Sequence, residues 1–291
     1  VRPVRRRPVG GGCIHSAWCV TLAEGGSLFV KTNRADALSL LEGEADGLAA
    51  LGATAQAAEA AGLPSLRVPE PLALGLAGDQ AVLVLPWLAF GDAAGAAGWR
   101  NLGAALAGLH RRSLDQAEGA APLRFGWGCD NHIGAFPQRN GWCESWPRFF
   151  ARRRLAPQLE ALAAAGQPLR SGKELPDLAE ELLAAHHPDP CLVHGDLWSG
   201  NAALLAGGGG AIFDPAVHRA DREVDLAMAR LFGGFPAQFF AGYEAAWPLP
   251  PDHGARRDLY NLYHLLNHAN LFGGGYLSQV EAGVQALLRS R

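Results

Sequence analysis

Asp196, Asn201 and Asp214 are the residues whose types and spacing could do chemistry. The first two lie in Leu192-Val193-His194-Gly195-Asp196-Leu197-Trp198-Ser199-Gly200-Asn201, and the third closes the short run Ile212-Phe213-Asp214. An aspartate, an asparagine five positions later and a second aspartate after a strand suit the transfer of a phosphoryl group. One carboxylate accepts the proton of an attacking hydroxyl. The amide and the other carboxylate hold Mg²⁺ against the phosphates of a nucleotide. The apolar pairs Leu192-Val193 and Ile212-Phe213 deliver each motif from the end of a strand, which a plain polar connector would not need.

The spacing matches the protein-kinase pattern H-R-D-x-x-x-x-N, with Gly195 in the arginine position. That arginine usually answers a phosphorylated activation loop, so its replacement points to a small-molecule acceptor. Asp214 is followed by Pro215-Ala216, so the ligand position is kept without the usual phenylalanine switch.

Other elements must position these groups. Cys19–Leu22 and Leu28–Lys31 read as strands joined by a turn at Glu24-Gly25-Gly26. Gly10-Gly11-Gly12-Cys13-Ile14 stands just ahead, where backbone N–H groups could cover phosphates. Lys31 ends an apolar strand, as either a solvated lysine or a phosphate-binding one. Leu38, Leu41, Ala45 and Leu48 follow at helical spacing. Glu44 falls on that apolar side, and a buried acid needs a cation; Lys31 is the natural partner. Ala81–Leu88 reads as a strand stopped by Pro86. Backbone around Leu85, Trp87 and Leu88 could bind adenine, or the run is a plain core strand. Trp99–His110 reads as a helix, and Gly207–Gly210 as a hairpin turn rather than a phosphate loop. Later segments are mostly helical. The expected architecture is α+β and bilobal: a small β-rich N-terminal lobe over 1–85, a hinge over 86–90, and a larger α-rich catalytic and substrate lobe over 91–291.

Composition bounds the function. The 291 residues are 49% hydrophobic and 18% charged, enough for a large core and long enough for two lobes. Lys plus Arg is 25 and Asp plus Glu is 28, a net charge of −3 that gives no reason to expect nucleic acid. Arg2, Arg5, Arg6 and Arg7 read as a solvated basic tail, and no apolar segment of signal-peptide type follows them. No uninterrupted apolar run is long enough to span a membrane. Five scattered cysteines without C-x-x-C fit a reducing cytoplasm and argue against zinc or a disulfide framework.

With these residues in view, the chain resembles the fructosamine kinase (ketosamine-3-kinase) family, small-molecule kinases with a protein-kinase-like fold near the aminoglycoside phosphotransferases. Four blocks carry the resemblance across nearly the whole chain. The first is Gly11-Gly12-Cys13-Ile14. The second is Phe125-Gly126 with Asp130-Asn131-His132-Ile133-Gly134 and Pro137 to Trp142. The third is Val193 to Asn201. The last is Asp214-Pro215-Ala216 with Asp221 to Met228 and Leu231 to Pro236. The blocks H-G-D-L-W-x-G-N and D-R-E-V-D-L-A-M are specific to this branch.

The resemblance implies ATP- and Mg²⁺-dependent phosphorylation of a ketosamine, free or protein-bound, at its sugar 3-hydroxyl. The phosphate labilises the adduct, so the amine is recovered. It makes Asp196 the base, Asn201 and Asp214 the metal ligands, and Lys31 with Glu44 the phosphate-binding pair. Gly11, Gly12, Cys13 and Ile14 would cover the phosphates. Asp225 would brace the catalytic loop. Trp198 would stack on the sugar or pack, and Asn131 and His132 would stand at the substrate mouth. The resemblance also puts a cysteine in the phosphate loop, so Cys13 could be oxidised or bridge two chains of an otherwise monomeric or weakly dimeric protein. His15, Pro86 and Val217-His218-Arg219-Ala220 depart from the family pattern at positions expected to border nucleotide and substrate. The alternatives are a kinase of another small alcohol (aminoglycoside, choline or homoserine type) and a non-catalytic nucleotide-binding member. The second is disfavoured by the presence of Lys31, Asp196, Asn201 and Asp214.

Overall fold

The structure is a computed structural model that describes residues 2–10, 14–92, 94–115, 120–170 and 172–289. Gly11, Gly12 and Cys13, and with them most of the expected phosphate loop, lie outside the described residues.

In chain order the strands are β1 (Pro3–Val9), β2 (Ser16–Leu22), β3 (Ser27–Arg34), β4 (Leu66–Arg67), β5 (Ala73–Ala77) and β6 (Gln80–Pro86). There follow β7 (Asn131–Ile133), β8 (Phe136–Gln138), β9 (Cys191–Val193), β10 (Ala202–Leu204), β11 (Gly210–Ile212) and β12 (His218–Ala220). The helices are α1 (Leu38–Ala60), α2 (Gly95–Arg112), α3 (Trp146–Phe149), α4 (Ala156–Ala164), α5 (Leu175–Leu183), α6 (Glu223–Leu231), α7 (Ala237–Ala246), α8 (His253–Phe272) and α9 (Gly275–Arg289). A π-helical stretch, Phe150–Leu155, joins α3 to α4.

These elements fall into two compact units, each drawn from three stretches of chain. The first comprises Val1–Arg112, Ser199–Ala216 and Phe235–Pro248. Its main sheet has the order β1-β2-β3-β6-β5, all neighbours antiparallel. β2 and β3 form the expected hairpin, and along β6 the alternate residues Ala81, Leu83 and Leu85 are buried. α1 buries Leu41, Leu48 and Leu51 in the same core. The Gly207–Gly210 turn joins β10 to β11, and β4 adds in parallel to β11.

The arginine-rich N-terminus differs from its expected form. It is not a tail but an edge strand, β1, paired with β2. Its side chains stay exposed, and Arg6 and Arg7 each lie 5.2 Å from the ring centres of Trp18 and Trp87. An edge strand needs no apolar alternation, and charge on it discourages pairing with other chains. The run therefore carries no strand periodicity to read.

The second unit comprises Ser113–Trp198, Val217–Gly234 and Leu249–Arg291. It is helical apart from the two-stranded pairs β7–β8 and β9–β12. Its centre is aromatic: Trp146 stacks with Phe149, meets the Phe150 ring at a tilt and the Tyr260 ring at 5.9 Å, and donates from Nε1 to the Tyr260 hydroxyl at 2.9 Å. No helix among the described residues is long and apolar enough to cross a membrane.

Candidate active site

In the first unit the chemistry gathers on Lys31. Its Nζ lies 2.8 Å from Glu44 Oε1 and 2.5 Å from Asp214 Oδ1. The Lys31 and Glu44 side chains are 6% and 9% exposed, whereas that of Asp214 is 42% exposed. One ammonium thus serves a buried carboxylate on α1 and an open one at the end of the β10–β11 hairpin. Burial alone would lower the Lys31 pKa, but the two carboxylates outweigh it and hold it above its ordinary value. Burial also pushes the Glu44 carboxyl up; Lys31 opposes this and the charge of Asp214 adds to it, so the net direction is upward. The electrostatic stress falls on the buried acid and leaves Asp214 facing solvent.

Asp214 has φ 58°, alone among described non-glycine residues in having a positive φ. That region costs an L-residue roughly 1–2 kcal/mol. The surroundings hold it there. Phe213 N donates to Asn201 O at 3.0 Å, and Asn201 Nδ2 donates to Asp214 O at 3.3 Å. The two expected metal ligands are therefore fixed to each other. Asn201 commits its nitrogen to the backbone, so Oδ1 would be its ligand atom. Asp214 commits one oxygen to Lys31. A hard cation prefers oxygen donors of this kind, so the pair fits Mg²⁺.

Ile14, the described end of the glycine-rich segment, is pinned to β3. Asn33 Nδ2 donates to Ile14 O at 3.1 Å and lies 2.9 Å from His15 Nδ1. His15 is half-buried, and burial followed by the charge of Lys31 lowers its pKa to about 4. Leu85 points its side chain into the core opposite Phe29. Trp87 and Leu88 are half-buried, with Phe29 6.3 Å from the Trp87 ring centre.

In the second unit the site is the loop after β9. Asp225, on α6 and 1% exposed, accepts from His194 N at 2.7 Å and from Gly195 N at 2.8 Å. Gly195 has φ 80°, where a side chain would meet the carbonyl. This gives the glycine of His-Gly-Asp a local backbone reason. Asp196 follows, its side chain 21% exposed, with its N–H donating to His194 Nδ1 at 3.3 Å. Trp198 is 37% exposed and donates from its backbone N–H to Asp196 O at 3.1 Å.

Nothing local in the sequence singled out His264. This α8 residue is 4% exposed, and its Nδ1 lies 4.0 Å from Asp196 Oδ1. Burial lowers its pKa to about 3, so the ring is neutral at ordinary pH.

The expected substrate-mouth residues divide. Asn131 is 4% exposed. Its Nδ2 donates to Val217 O, and its Oδ1 accepts from Gln138 Nε2 and Asn140 Nδ2, each at 2.8 Å. Gln138 in turn accepts from the Tyr263 hydroxyl at 2.7 Å. Asn131 is thus an internal brace and does not open to substrate. His132 is half-buried and has a lowered pKa from burial. Val217-His218-Arg219-Ala220 is likewise largely buried. His218 to Ala220 form β12, paired with β9, and Val217 and His218 are buried.

The Asp221-Arg222-Glu223 block, quoted above only as a marker, has a structural task. Asp221 Oδ2 accepts from the Tyr260 hydroxyl at 2.7 Å and lies 2.7 Å from His186 Nε2. Glu223 takes Arg256 through Nε at 2.9 Å and Nη2 at 2.7 Å. The ligand atoms of His186, Asp221 and Glu223 lie within 4.8 Å of one another. Arg256 and Tyr260 already neutralise and hydrogen-bond this cluster, which therefore reads as a lock on α6 and not as a metal centre.

Comparison with solved structures defines the class. A thermostable mutant of aminoglycoside phosphotransferase APH(4)-Ia, solved with AMP-PNP and hygromycin B, superposes with a TM-score of 0.61 at 15% identity over 99% of this chain and 94% of that one. The fold is protein-kinase-like, that of ATP-dependent small-molecule kinases. A provisionally assigned fructosamine-3-kinase from Haemophilus somnus gives a TM-score of 0.85 at 26% identity, covering 98% and 92%. The family profile described as fructosamine kinase matches residues 1–290. A protein from Synechocystis sp. described as a probable ketoamine kinase is 45% identical over 98% of this chain and 90% of its own. The chain belongs to the fructosamine kinase family.

Proposed function

We propose that the protein phosphorylates the 3-hydroxyl of a ketosamine, such as a fructosamine or ribulosamine, at the expense of ATP, in the repair of glycated amines. The observation that carries this reading is the partly exposed Asp196 on a loop whose backbone is fixed by Asp225, in a chain of this family. Asp196 orients the sugar hydroxyl and takes its proton. Lys31, held by Glu44, neutralises nucleotide phosphate charge. Asn201 and Asp214 would hold Mg²⁺, which when bound neutralises the phosphate oxygens during transfer. Gly11, Gly12, Cys13 and Ile14 are assigned to covering the phosphates, and backbone at Leu85, just before a hinge over 86–90, and at Trp87 and Leu88 within it, to the adenine. The exposed Trp198 ring offers an apolar face to the sugar. The protein does little covalent chemistry; positioning and charge neutralisation carry the rate.

The test is ATP consumption with Mg²⁺ and a panel of acceptors: fructosyl-lysine, ribulosyl-lysine, choline, homoserine and an aminoglycoside. Turnover confined to the two ketosamines is expected. Turnover with choline, homoserine or the aminoglycoside instead would move the protein to another acceptor class.

A further inference from the structure

His264 is a buried polar residue for which the site so far has no use. Three observations meet on it. Its Nδ1 is fully enclosed and has no hydrogen-bond partner. That atom lies 4.0 Å from Asp196 Oδ1, about one ångström beyond a hydrogen bond. The helix that carries it is fixed to the surrounding unit on both sides. Tyr260, one turn before it, bonds Asp221 at 2.7 Å, and Tyr263 bonds Gln138 at 2.7 Å. Asn267, on the turn that follows, accepts from Gln158 Nε2 at 3.3 Å.

A buried polar atom without a partner costs free energy comparable to a lost hydrogen bond, and such atoms in native proteins call for an explanation. Here the carboxylate just out of reach supplies one. The ring is neutral, so one of its nitrogens carries a proton. The nitrogen that faces a carboxylate is the one favoured to carry it. Catalytic hydrogen bonds are often long in the unliganded protein and close in the complex.

We infer that His264 is a positioning residue for the catalytic base: in the substrate complex its Nδ1–H donates to the Asp196 carboxylate and fixes which oxygen faces the sugar hydroxyl. This rests on the reading of Asp196 as the base. The arrangement divides the work of the carboxylate. In that complex Oδ1 is held by His264, and Oδ2 receives the proton. Because the donor is a neutral imidazole, it orients the carboxylate without pairing it with a full positive charge.

The test uses three variants of the full chain with the ketosamine that the wild type turns over. His264→Phe keeps ring volume and removes the donor. His264→Asn returns an N–H near the position of Nδ1. Asp196→Asn serves as the reference for loss of the base. A charge-assisted hydrogen bond of ordinary strength implies that His264→Phe lowers kcat about 10- to 100-fold. The KM for ATP should stay unchanged, and His264→Asn should recover much of the loss. Wild-type kcat in folded His264→Phe would overturn the inference while leaving the Asp196 reading intact. Near-wild-type kcat in Asp196→Asn would instead remove the reading on which it rests.

Should the phenylalanine variant not fold, the wild-type chain decides. With ketosamine and AMP-PNP bound, the imidazole ¹H–¹⁵N spectrum should show a His264 Nδ1–H signal shifted downfield relative to the free protein. An Nδ1 that carries no proton in that complex would contradict the inference.

Discussion

The Lys31 cluster and the Asp196 loop prepare two aspartates in opposite ways. Asp214 is held by charge: one buried ammonium, shared with Glu44, with a hydrogen bond that spans 183 positions of sequence. Asp196 is held by backbone: Asp225 takes two consecutive N–H groups, and Asp196, the proposed base, follows at the next residue. A ligand for a cation must change partners when the cation arrives, and a shared lysine allows that. A base must keep one orientation, and a backbone brace gives it. The comparison predicts that the cluster is sensitive to charge balance, whereas the loop is sensitive to geometry.

The largest effect should come from breaking the charge balance. Lys31→Met strands the carboxylates of Glu44 and Asp214, and removing one member of a buried pair costs about 3–5 kcal/mol. Urea unfolding at pH 7 should show this loss. The double variant Lys31→Met/Glu44→Gln should regain part of it, because the buried acid is then replaced by a group that is neutral at any pH. Equal stability of the single and double variants would break the charge account.

Next comes the brace. Asp225→Asn keeps shape but presents only one acceptor oxygen to two N–H groups. Hydrogen bonds to a charged group are worth about 1.5–3 kcal/mol, and stability should fall by an amount in that range. Steady-state kinetics should show kcat falling more than the KM for ATP rises. A smaller loss is expected from Gly195→Ala. A positive φ costs an L-residue roughly 1–2 kcal/mol, with the same bias toward kcat. An alanine variant with unchanged stability would show that the loop tolerates another backbone path.

The smallest effect is a slope with pH. The folded-state pKa of His264 is lowered from its usual 6.5 to about 3. The unfolded chain therefore takes up this proton first as pH falls. The contribution of His264 is fully present above pH 6.5 and is lost progressively toward pH 3. One such proton corresponds to about 1.4 kcal/mol per pH unit. His15, His132 and His268 are also lowered by burial and add to the same slope. Denaturant unfolding between pH 7 and pH 5 should show a shallower fall in His264→Phe than in the wild type.

What the sequence disclosed follows from where each signal resides. The Lys31–Glu44 pair was readable because helix phase placed an acid on an apolar face and a cation preceded it. The β2–β3 and β10–β11 hairpins were readable from their turns. Asp225 was readable only through resemblance, since its partners are backbone groups without sequence identity. β1 was hidden because an exposed edge strand carries no apolar period. Asn131 misled because a polar residue beside a histidine looks the same in a sequence whether it faces solvent or three buried partners. His264 was invisible because its meaning is a distance to Asp196 across 68 positions, and its own helix gives it only an amphipathic place. The two units are each built from three stretches, a nonlocal fact that no window of sequence contains.

The proposed role of Asp196 is that of the base for phosphorylation of a ketosamine hydroxyl. Its most direct test is the product formed from ATP, Mg²⁺ and ribulosyl- or fructosyl-lysine by wild-type protein and by Asp196→Asn, analysed by ³¹P NMR and mass spectrometry. One phosphate on the sugar 3-position is expected with the wild type. With Asp196→Asn no product is expected, while ATP binding measured by calorimetry is retained. The same product at near-wild-type rate from Asp196→Asn would contradict it.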